Sequence, residues 1–233
     1  WGLTDQGQLG NNSSENTSTP VSIGALANGS KIYCGFKHTA IIKSDGTLWT
    51  WGCNRHSQLG LGTNVTHAVP QHIGTDTNWS SVVCGDWHTI ALKTTGTLWG
   101  CGDGSFGQLG FGNNNNSGTL RQIGTKTTWS VIASGYYHTL ALQTNDLFTW
   151  GYNAYVQLGD NSTINKNAPT NIGNDTDICY YNTATGEYVN IFTTNAGSQV
   201  PAFASCMIGS DALSTPSGYL LIATGNTAPY KIP

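Results

Sequence analysis

The chain has 233 residues, with 9 Lys or Arg against 12 Asp or Glu, so its formal net charge is −3. Only 9% of the residues are charged, whereas about a quarter are charged in ordinary soluble domains. So few basic residues leave no electrostatic footprint for nucleic acid, and no run of about 18 apolar residues predicts a membrane span. Asn, Thr, Ser and Gly supply the polarity, a composition that favours display outside a cell or on a virus particle.

Short phrases recur along the chain with a period of about 50 residues. Gln-Leu-Gly starts at Gln8, Gln58, Gln108 and Gln157, and His-Thr starts at His38, His88 and His138. A period of roughly 20–50 residues is typical of solenoids, propellers and arrays. The repeat therefore decides the fold class before any local pattern does.

Each unit has the residue pattern of several short β-strands. Residues 81–84 are short and β-branched, residues 88–93 alternate, and residues 97–99 follow across a Thr95-Gly96 turn. No stretch keeps the apolar spacing of a helix. We therefore predict an all-β fold over residues 1–173, a β-propeller of four-stranded blades.

Large aromatic residues hold fixed places in the repeat, and we expect them to pack between blades. They are Trp49, Trp99 and Phe148 at one place, Trp51 and Trp150 at a second, and Trp79 and Trp129 at a third. The phrase Trp-Gly-x-Asn brings Asn54 and Asn153 to a position that Gly104 occupies in the third copy. Asn and Gly tolerate positive φ, so this position is predicted to be a left-handed turn.

The remaining motifs give no support to an enzyme, a metal site or a cofactor. The glycines at 102, 104 and 107 imitate a dinucleotide fingerprint, but no helix follows them. The repeated His38, His88 and His138 are predicted to make structural hydrogen bonds to a neighbouring turn, because every unit has one. Gln58, Gln108 and Gln157 are likewise predicted to be structural, satisfying backbone groups beside a turn. The six cysteines have no ligand spacing, and Asp175 and Asp177 alone do not define a calcium loop.

The repeat ends at about residue 173, and residues 174–233 have a different texture. Residues 180–182 and 187–192 predict a hairpin, and residues 219–223 predict another strand. We interpret this segment as a small C-terminal β-module that docks onto the propeller or attaches it to a larger assembly. About three and a half units are fewer than the four to eight blades of a closed ring, so we expect further blades from upstream sequence, with an oligomer as the alternative.

With these phrases assembled, the chain resembles the regulator of chromosome condensation repeat family. The matching motifs are Trp-Gly-x-Asn, Gln-Leu-Gly, Gly-x-x-His-Thr and Ala-Leu-x-x-x-Gly-x-Leu-Trp. The resemblance implies a β-propeller, usually of about seven blades, but no single function. Members include a nucleotide-exchange factor for a small GTPase, a plant ultraviolet photoreceptor, a secreted β-lactamase inhibitor, and uncharacterised bacterial and phage proteins, which this chain resembles most. The photoreceptor's repeated Gly-Trp-Arg-His-Thr is absent.

Two residues change between the fixed Gly and His-Thr of each unit. They form the candidate interaction face, namely Phe36, Lys37, Asp86, Trp87, Tyr136 and Tyr137. Variable positions in a strict repeat are released from the needs of the scaffold, and exposed aromatics are typical of binding hot spots. The alternative is that Phe36, Trp87 and Tyr137 only plug the central channel.

These observations predict a non-enzymatic interaction scaffold that binds a protein or glycan surface, with other virion proteins as further candidate partners. A virion structural or host-recognition protein of a phage is the first hypothesis. A secreted bacterial inhibitor or adaptor is the second, and an intracellular GTPase regulator is the third. No cofactor, nucleic acid or metal is expected.

Overall fold

The computed structural model describes residues 1–26, 29–144, 146–173, 178–182, 187–190, 205–206 and 221–223. Three four-stranded antiparallel sheets follow one another along the chain, and in each sheet the strands are ordered as in the sequence. We call these sheets blades 1 to 3. The predicted β-propeller fold of four-stranded blades is thus confirmed.

The strands recur at nearly the same places in each unit. Blade 1 contains β1 (Gly29–Cys34), β2 (His38–Lys43), β3 (Leu48–Gly52) and β4 (His67–His72). Blade 2 contains β5 (Trp79–Cys84), β6 (His88–Lys93), β7 (Leu98–Gly102) and β8 (Ser117–Gln122). Blade 3 contains β9 (Trp129–Ser134), β10 (His138–Gln143), β11 (Asp146–Gly151) and β12 (Lys166–Gly173). A short 3₁₀ turn, Gly24–Leu26, precedes β1.

The core lies between the blades. Trp79 of blade 2 packs with Ala40, Ile42 and Leu48 of blade 1. Trp129 of blade 3 packs in the same way with Ile90 and other residues of blade 2. Large aromatics bury the most apolar area per residue, and the position shared by Trp79 and Trp129 therefore joins each blade to the one before it.

A second contact between neighbours uses the main-chain carbonyl of the Gln in Gln-Leu-Gly. Gln108 O accepts hydrogen bonds from Thr139 Oγ1 at 2.9 Å and from Trp150 Nε1 at 2.9 Å, both in blade 3. Thr39 Oγ1 and Trp51 Nε1 bond Gln8 O of the N-terminal segment at 3.0 and 2.9 Å. Because a buried carbonyl needs a partner, each unit is completed by donors from the following one.

The turn conformation differs from the prediction made for Asn54, Gly104 and Asn153. None of these three residues has a positive φ, whereas the residues three positions later, Ser57, Gly107 and Val156, do. Asn54 is buried, and its Oδ1 accepts from Leu59 N at 2.9 Å while its Nδ2 donates to Thr63 O at 2.7 Å. The amide thus ties the loop together, and that role needs no special backbone angle.

The predicted C-terminal module is described only in part. β13 (Ile178–Asn182) pairs antiparallel with β14 (Glu187–Asn190), and β16 (Leu221–Ala223) pairs with β13 and with β15 (Ser205–Cys206). The resulting strand order is β14-β13-β16-β15. Asp175, Asp177 and the rest of residues 174–233 lie outside the described residues. No helix in the described part of the chain is long and apolar enough to cross a membrane.

Candidate interaction face

Two sets of loops meet at one end of the blades. The inner loops, residues 35–37, 85–87 and 135–137, join the first and second strands, and the outer loops, residues 53–66, 103–116 and 152–165, join the third and fourth. Main-chain bonds hold the two sets together within each blade: Cys53 N donates to Lys37 O and Asp103 N to Trp87 O, both at 2.8 Å. The loops therefore build one continuous surface, which we call the end face.

The inner loops of neighbouring blades touch. A Cβ added to Gly35 would lie 2.5 Å from Gly85 O, and one added to Gly85 would lie 2.9 Å from Gly135 O. Asp86 N also donates to Tyr136 O at 3.1 Å. The loop of blade 2 is therefore clamped between the loops of blades 1 and 3.

Aromatic rings form two groups on the end face, one around Trp87 and one around Tyr137. The contacts are Phe36–Trp87 at 5.9 Å, His56–Trp87 at 5.0 Å, Phe106–Tyr137 at 5.3 Å, Tyr136–Tyr137 at 6.3 Å, Phe106–Tyr152 at 4.8 Å and Tyr152–Tyr155 at 6.1 Å. In blades 2 and 3 the second inner-loop residue contacts a ring in the outer loop of the blade before it: Trp87 contacts His56, and Tyr137 contacts Phe106. Ring pairs at these separations add attraction beyond the area they bury.

The six candidate residues differ in exposure. Phe36 is 56% exposed and Tyr136 is 66% exposed, while Lys37, Trp87 and Tyr137 are half-buried. Asp86 is only 8% exposed. The structure thus brings all six to one end of the propeller, with Phe36 and Tyr136 open to solvent on either side of a buried acid.

Lys37 and Asp86 are the charged residues among the six candidates on the end face. Lys37 Nζ pairs with Asp5 at 2.7 Å and lies 5.8 Å from the centre of the Phe36 ring. Burial raises the pKa of the Asp86 carboxyl to about 6, because desolvation disfavours its charged form. Lys37 is neutralised within the chain, and Asp86 lies unpaired among the described residues.

The repeated histidines lie beneath the face and join blades. His38 Nε2 lies 2.9 Å from Thr89 Oγ1, and that hydroxyl donates to Gln58 O at 2.8 Å. The hydroxyl must therefore accept from His38, which places the proton on Nε2. His88 contacts Thr139 Oγ1 at 3.3 Å in the same manner. The partner is a strand hydroxyl of the next blade, whereas a neighbouring turn was expected.

Burial governs the charge of these imidazoles. It lowers the pKa of His38 to about 4 and that of His88 to about 3, with neighbouring His38 and His138 adding to the effect at His88. Burial also lowers the pKa of His138 to about 4. The three rings are therefore neutral at neutral pH.

The glutamine amides serve the outer loops. Gln58 Oε1 accepts from His56 N at 3.0 Å, Gln108 Oε1 from Phe106 N at 2.9 Å, and Gln157 Oε1 from Tyr155 N at 2.9 Å. Gln108 Nε2 also donates to Asp103 Oδ2 at 2.8 Å. Each amide thereby fixes the backbone that carries an aromatic or His side chain of the end face.

Four residues of the face were missed from the sequence, namely His56, Phe106, Tyr152 and Tyr155. His56, Phe106 and Tyr155 share one repeat position, two residues before Gln, and this position varies as freely as the inner-loop pair. Tyr155 is 82% exposed. Variability at a fixed place in the outer loops is the sequence signal from which these three residues could have been predicted.

A metal site within the described residues would need several His, Cys, Asp or Glu side chains close together. No cluster of three or more His, Cys, Asp or Glu side chains is placed to hold an ion there. Cys34, Cys53, Cys84 and Cys101 are free thiols, and burial raises the pKa of Cys84 and Cys101.

The successive four-stranded blades define a β-propeller that is built from sequence repeats. The model of the regulator of chromosome condensation (RCC1) repeat matches residues 1–42, 45–92, 95–142 and 145–181, and a second model of this repeat matches residues 30–58 and 79–108. The chain therefore belongs to the RCC1 repeat family.

Solved structures agree on the fold. A chain in the crystal structure of Kap60 bound to yeast RCC1 (Prp20) has a TM-score of 0.69 and 22% identity, covering 76% of this chain and 46% of that one. Human WBSCR16 has a TM-score of 0.68 and 25% identity, covering 76% of this chain and 48% of that one. Prp20p from Saccharomyces cerevisiae has a TM-score of 0.60 and 20% identity, covering 65% and 40%. This chain thus spans about half the length of these relatives or less. A comparison with curated protein sequences found no match.

Proposed function

We propose that this chain is a non-enzymatic interaction scaffold and that its end face binds a partner protein. The observation that carries the proposal is the pair of aromatic groups on the end face, which leave Phe36, Tyr136 and Tyr155 exposed. Exposed aromatics grouped in one patch are typical of interaction sites.

The residues that are fixed in every unit serve the fold, which leaves binding to the variable positions. His38 and Gln108 are occupied by hydrogen bonds inside the propeller. Among the positions that vary between units, those of Phe36, Tyr136 and Tyr155 are exposed. In Prp20p, a structural relative, binding to Gsp1p and histones has been described. A protein-binding role for the present chain extends that theme without assigning it those partners.

The test is the double substitution of Trp87 and Tyr136 by Ala. The chain is immobilised and used to capture partners from an extract of the organism that makes it. Each captured protein is then purified and its affinity for the chain is measured by titration. Loss of these rings should weaken binding at least about 100-fold, because hot-spot aromatics are each worth about 2 kcal/mol or more.

Trp49→Ala is the matched control, because Trp49 is half-buried on a strand and stacks on His72, away from the inner loops. The control should bind like the wild type. Undiminished binding by a folded double variant would contradict the proposal, and so would an equal loss in both variants.

The place of action is a separate part of the proposal. The low charge supports display outside a cell or on a virus particle, as a phage virion or host-recognition protein, with a secreted inhibitor or adaptor as the alternative. The family membership keeps an intracellular GTPase regulator in view. Mass spectrometry of purified particles, secreted material and cell interior distinguishes these places, and recovery from the cell interior alone would exclude display.

A further inference from the structure

Asp86 is a buried acid that no group within the described part of the chain compensates. Its side chain makes no hydrogen bond or ion pair there, although it is 8% exposed and lies in the centre of the end face. The carboxyl oxygens still reach solvent, but partial desolvation disfavours the charged form unless a cation compensates it. A residue that lowers stability and serves no internal contact points to an external ligand.

The same chain shows twice what partner such an acid takes. Lys37 Nζ contacts Asp5 while lying over the ring of Phe36. Lys93 Nζ contacts Asp76 at 2.9 Å and lies over the rings of Trp79 and Trp99, at 4.9 and 4.3 Å from their centres. Both sites combine a carboxylate, a ring face and a cation.

The inner loop of blade 2 supplies two of these three parts. Asp86 provides the carboxylate, and Trp87 follows it directly, in contact with the rings of Phe36 and His56. Phe36 and Tyr136 stand exposed on the neighbouring loops. Lys37, the cation at the equivalent place in blade 1, has Trp87 as its counterpart here.

We propose that Asp86 and the surrounding rings receive an Arg or Lys side chain from a basic segment of the partner protein. This inference rests on the proposed function and names the chemistry that the end face recognises. A cation would neutralise the acid and lie against the rings at once. A neutral glycan could stack on the rings but would leave the charge of Asp86 uncompensated, so the structure favours the basic segment.

The experiment uses the full chain and a fluorescein-labelled octapeptide of alternating Arg and Gly. The matched probe replaces every Arg by citrulline, which keeps the shape and removes the charge. Fluorescence polarisation should show saturable binding of the Arg peptide below about 1 mM and at least about ten-fold weaker binding of the citrulline peptide. Asp86→Asn should weaken binding of the Arg peptide at least about ten-fold.

Asp45→Asn is the control variant, because Asp45 is an exposed acid in the turn after β2, and its loss changes the net charge equally. It should change the affinity less than about two-fold. Equal affinity for the two peptides would overturn the inference, as would no binding by the wild type or unaltered binding by Asp86→Asn. Chitohexaose bound in place of the Arg peptide would assign the rings to a glycan.

The two proposals fail separately. If the Trp87 and Tyr136 double variant loses its captured partner while Asp86→Asn keeps it, the end face is still the interface, and only the cation inference is wrong.

Discussion

Single side chains divide into those that complete the scaffold and those that oppose it. Gln108 and Asn54 are buried and take part in short hydrogen bonds. Asp86 is also buried, but its carboxyl has a pKa raised to about 6 by burial. Its contribution to stability is therefore greatest below the ordinary pKa of 3.8 and is lost as the pH rises through about 6.

Asp86→Asn is accordingly expected to stabilise the protein in alkaline solution. An amide of the same shape carries no charge, so the melting temperature should rise by about 2–4 °C at about pH 8 and change little at about pH 4. Thermal unfolding followed by circular dichroism at both pH values measures this. Asp45→Asn should give no rise at either pH, since Asp45 bonds Thr47 and its pKa is lowered. A stabilisation equal at both pH values would show that the charge is not its cause.

At the scale of loops and strands, glycines that recur in every unit lie where other atoms of the chain come too close for a larger side chain. A Cβ added to Gly85 would lie 2.1 Å from His88 Cε1, so the imidazole occupies the space that any other residue would need. Gly102 has a φ of 103° and interrupts the β7–β8 register, where a Cβ would lie 2.3 Å from Trp87 O. The inner loop is thus shaped by glycines on both of its sides.

Gly85→Ala should therefore destabilise the protein by roughly 2 kcal/mol or more, since the ring of His88 cannot move without losing Thr139. Urea unfolding gives the difference in free energy. Gly24→Ala is the matched control, because its φ is ordinary and an added Cβ meets nothing within 4 Å. If both variants unfold at the same urea concentration, the packing account of the Gly-x-x-His phrase is wrong.

The sequence was most informative where one physical demand recurs in each unit. The pattern over residues 88–93 predicted a strand, and β6 lies there, but all six of its residues are buried, so both of its faces are covered and not one face as alternation implies. Asn54 was misread because a turn that needs positive φ and a loop tied by a side-chain amide select the same residue type. The burial of Asp86 depends on loops 50 residues away in each direction, and no local pattern encodes it.

The blades act as one assembly because each buries groups of the next. His38, His88 and His138 are held neutral by burial, with pKa values lowered to about 4, 3 and 4. The unfolded chain binds protons at about pH 6.5. Their contribution to stability is therefore fully present above that pH and is lost as the pH falls through about 4.

Acid should consequently unfold the whole propeller region cooperatively. Each buried histidine lowers stability by about 1.4 kcal/mol for each pH unit below 6.5 until its folded pKa is reached. The urea midpoint should thus be lower at about pH 5 than at about pH 7. His88→Gln should reduce this pH dependence, whereas His67→Gln, on the outer strand β4, should not. Equal midpoints at both pH values in the wild type would contradict the burial of neutral imidazoles.

Ring contacts on the end face cross the boundary between blades. Trp87 of blade 2 contacts His56 of blade 1, and Tyr137 of blade 3 contacts Phe106 of blade 2. The unit of recognition is therefore offset from the unit of folding: it runs from the outer loop of one blade to the inner loop of the next. A chimera joined between β4 and β5 would transplant a whole blade yet separate these ring pairs. Joints placed in successive Trp-Gly phrases, as after Gly52 and Gly102, would carry a pair intact. Binding specificity should therefore be transferred between such proteins by segments with joints after Gly52 and Gly102, and not by whole blades.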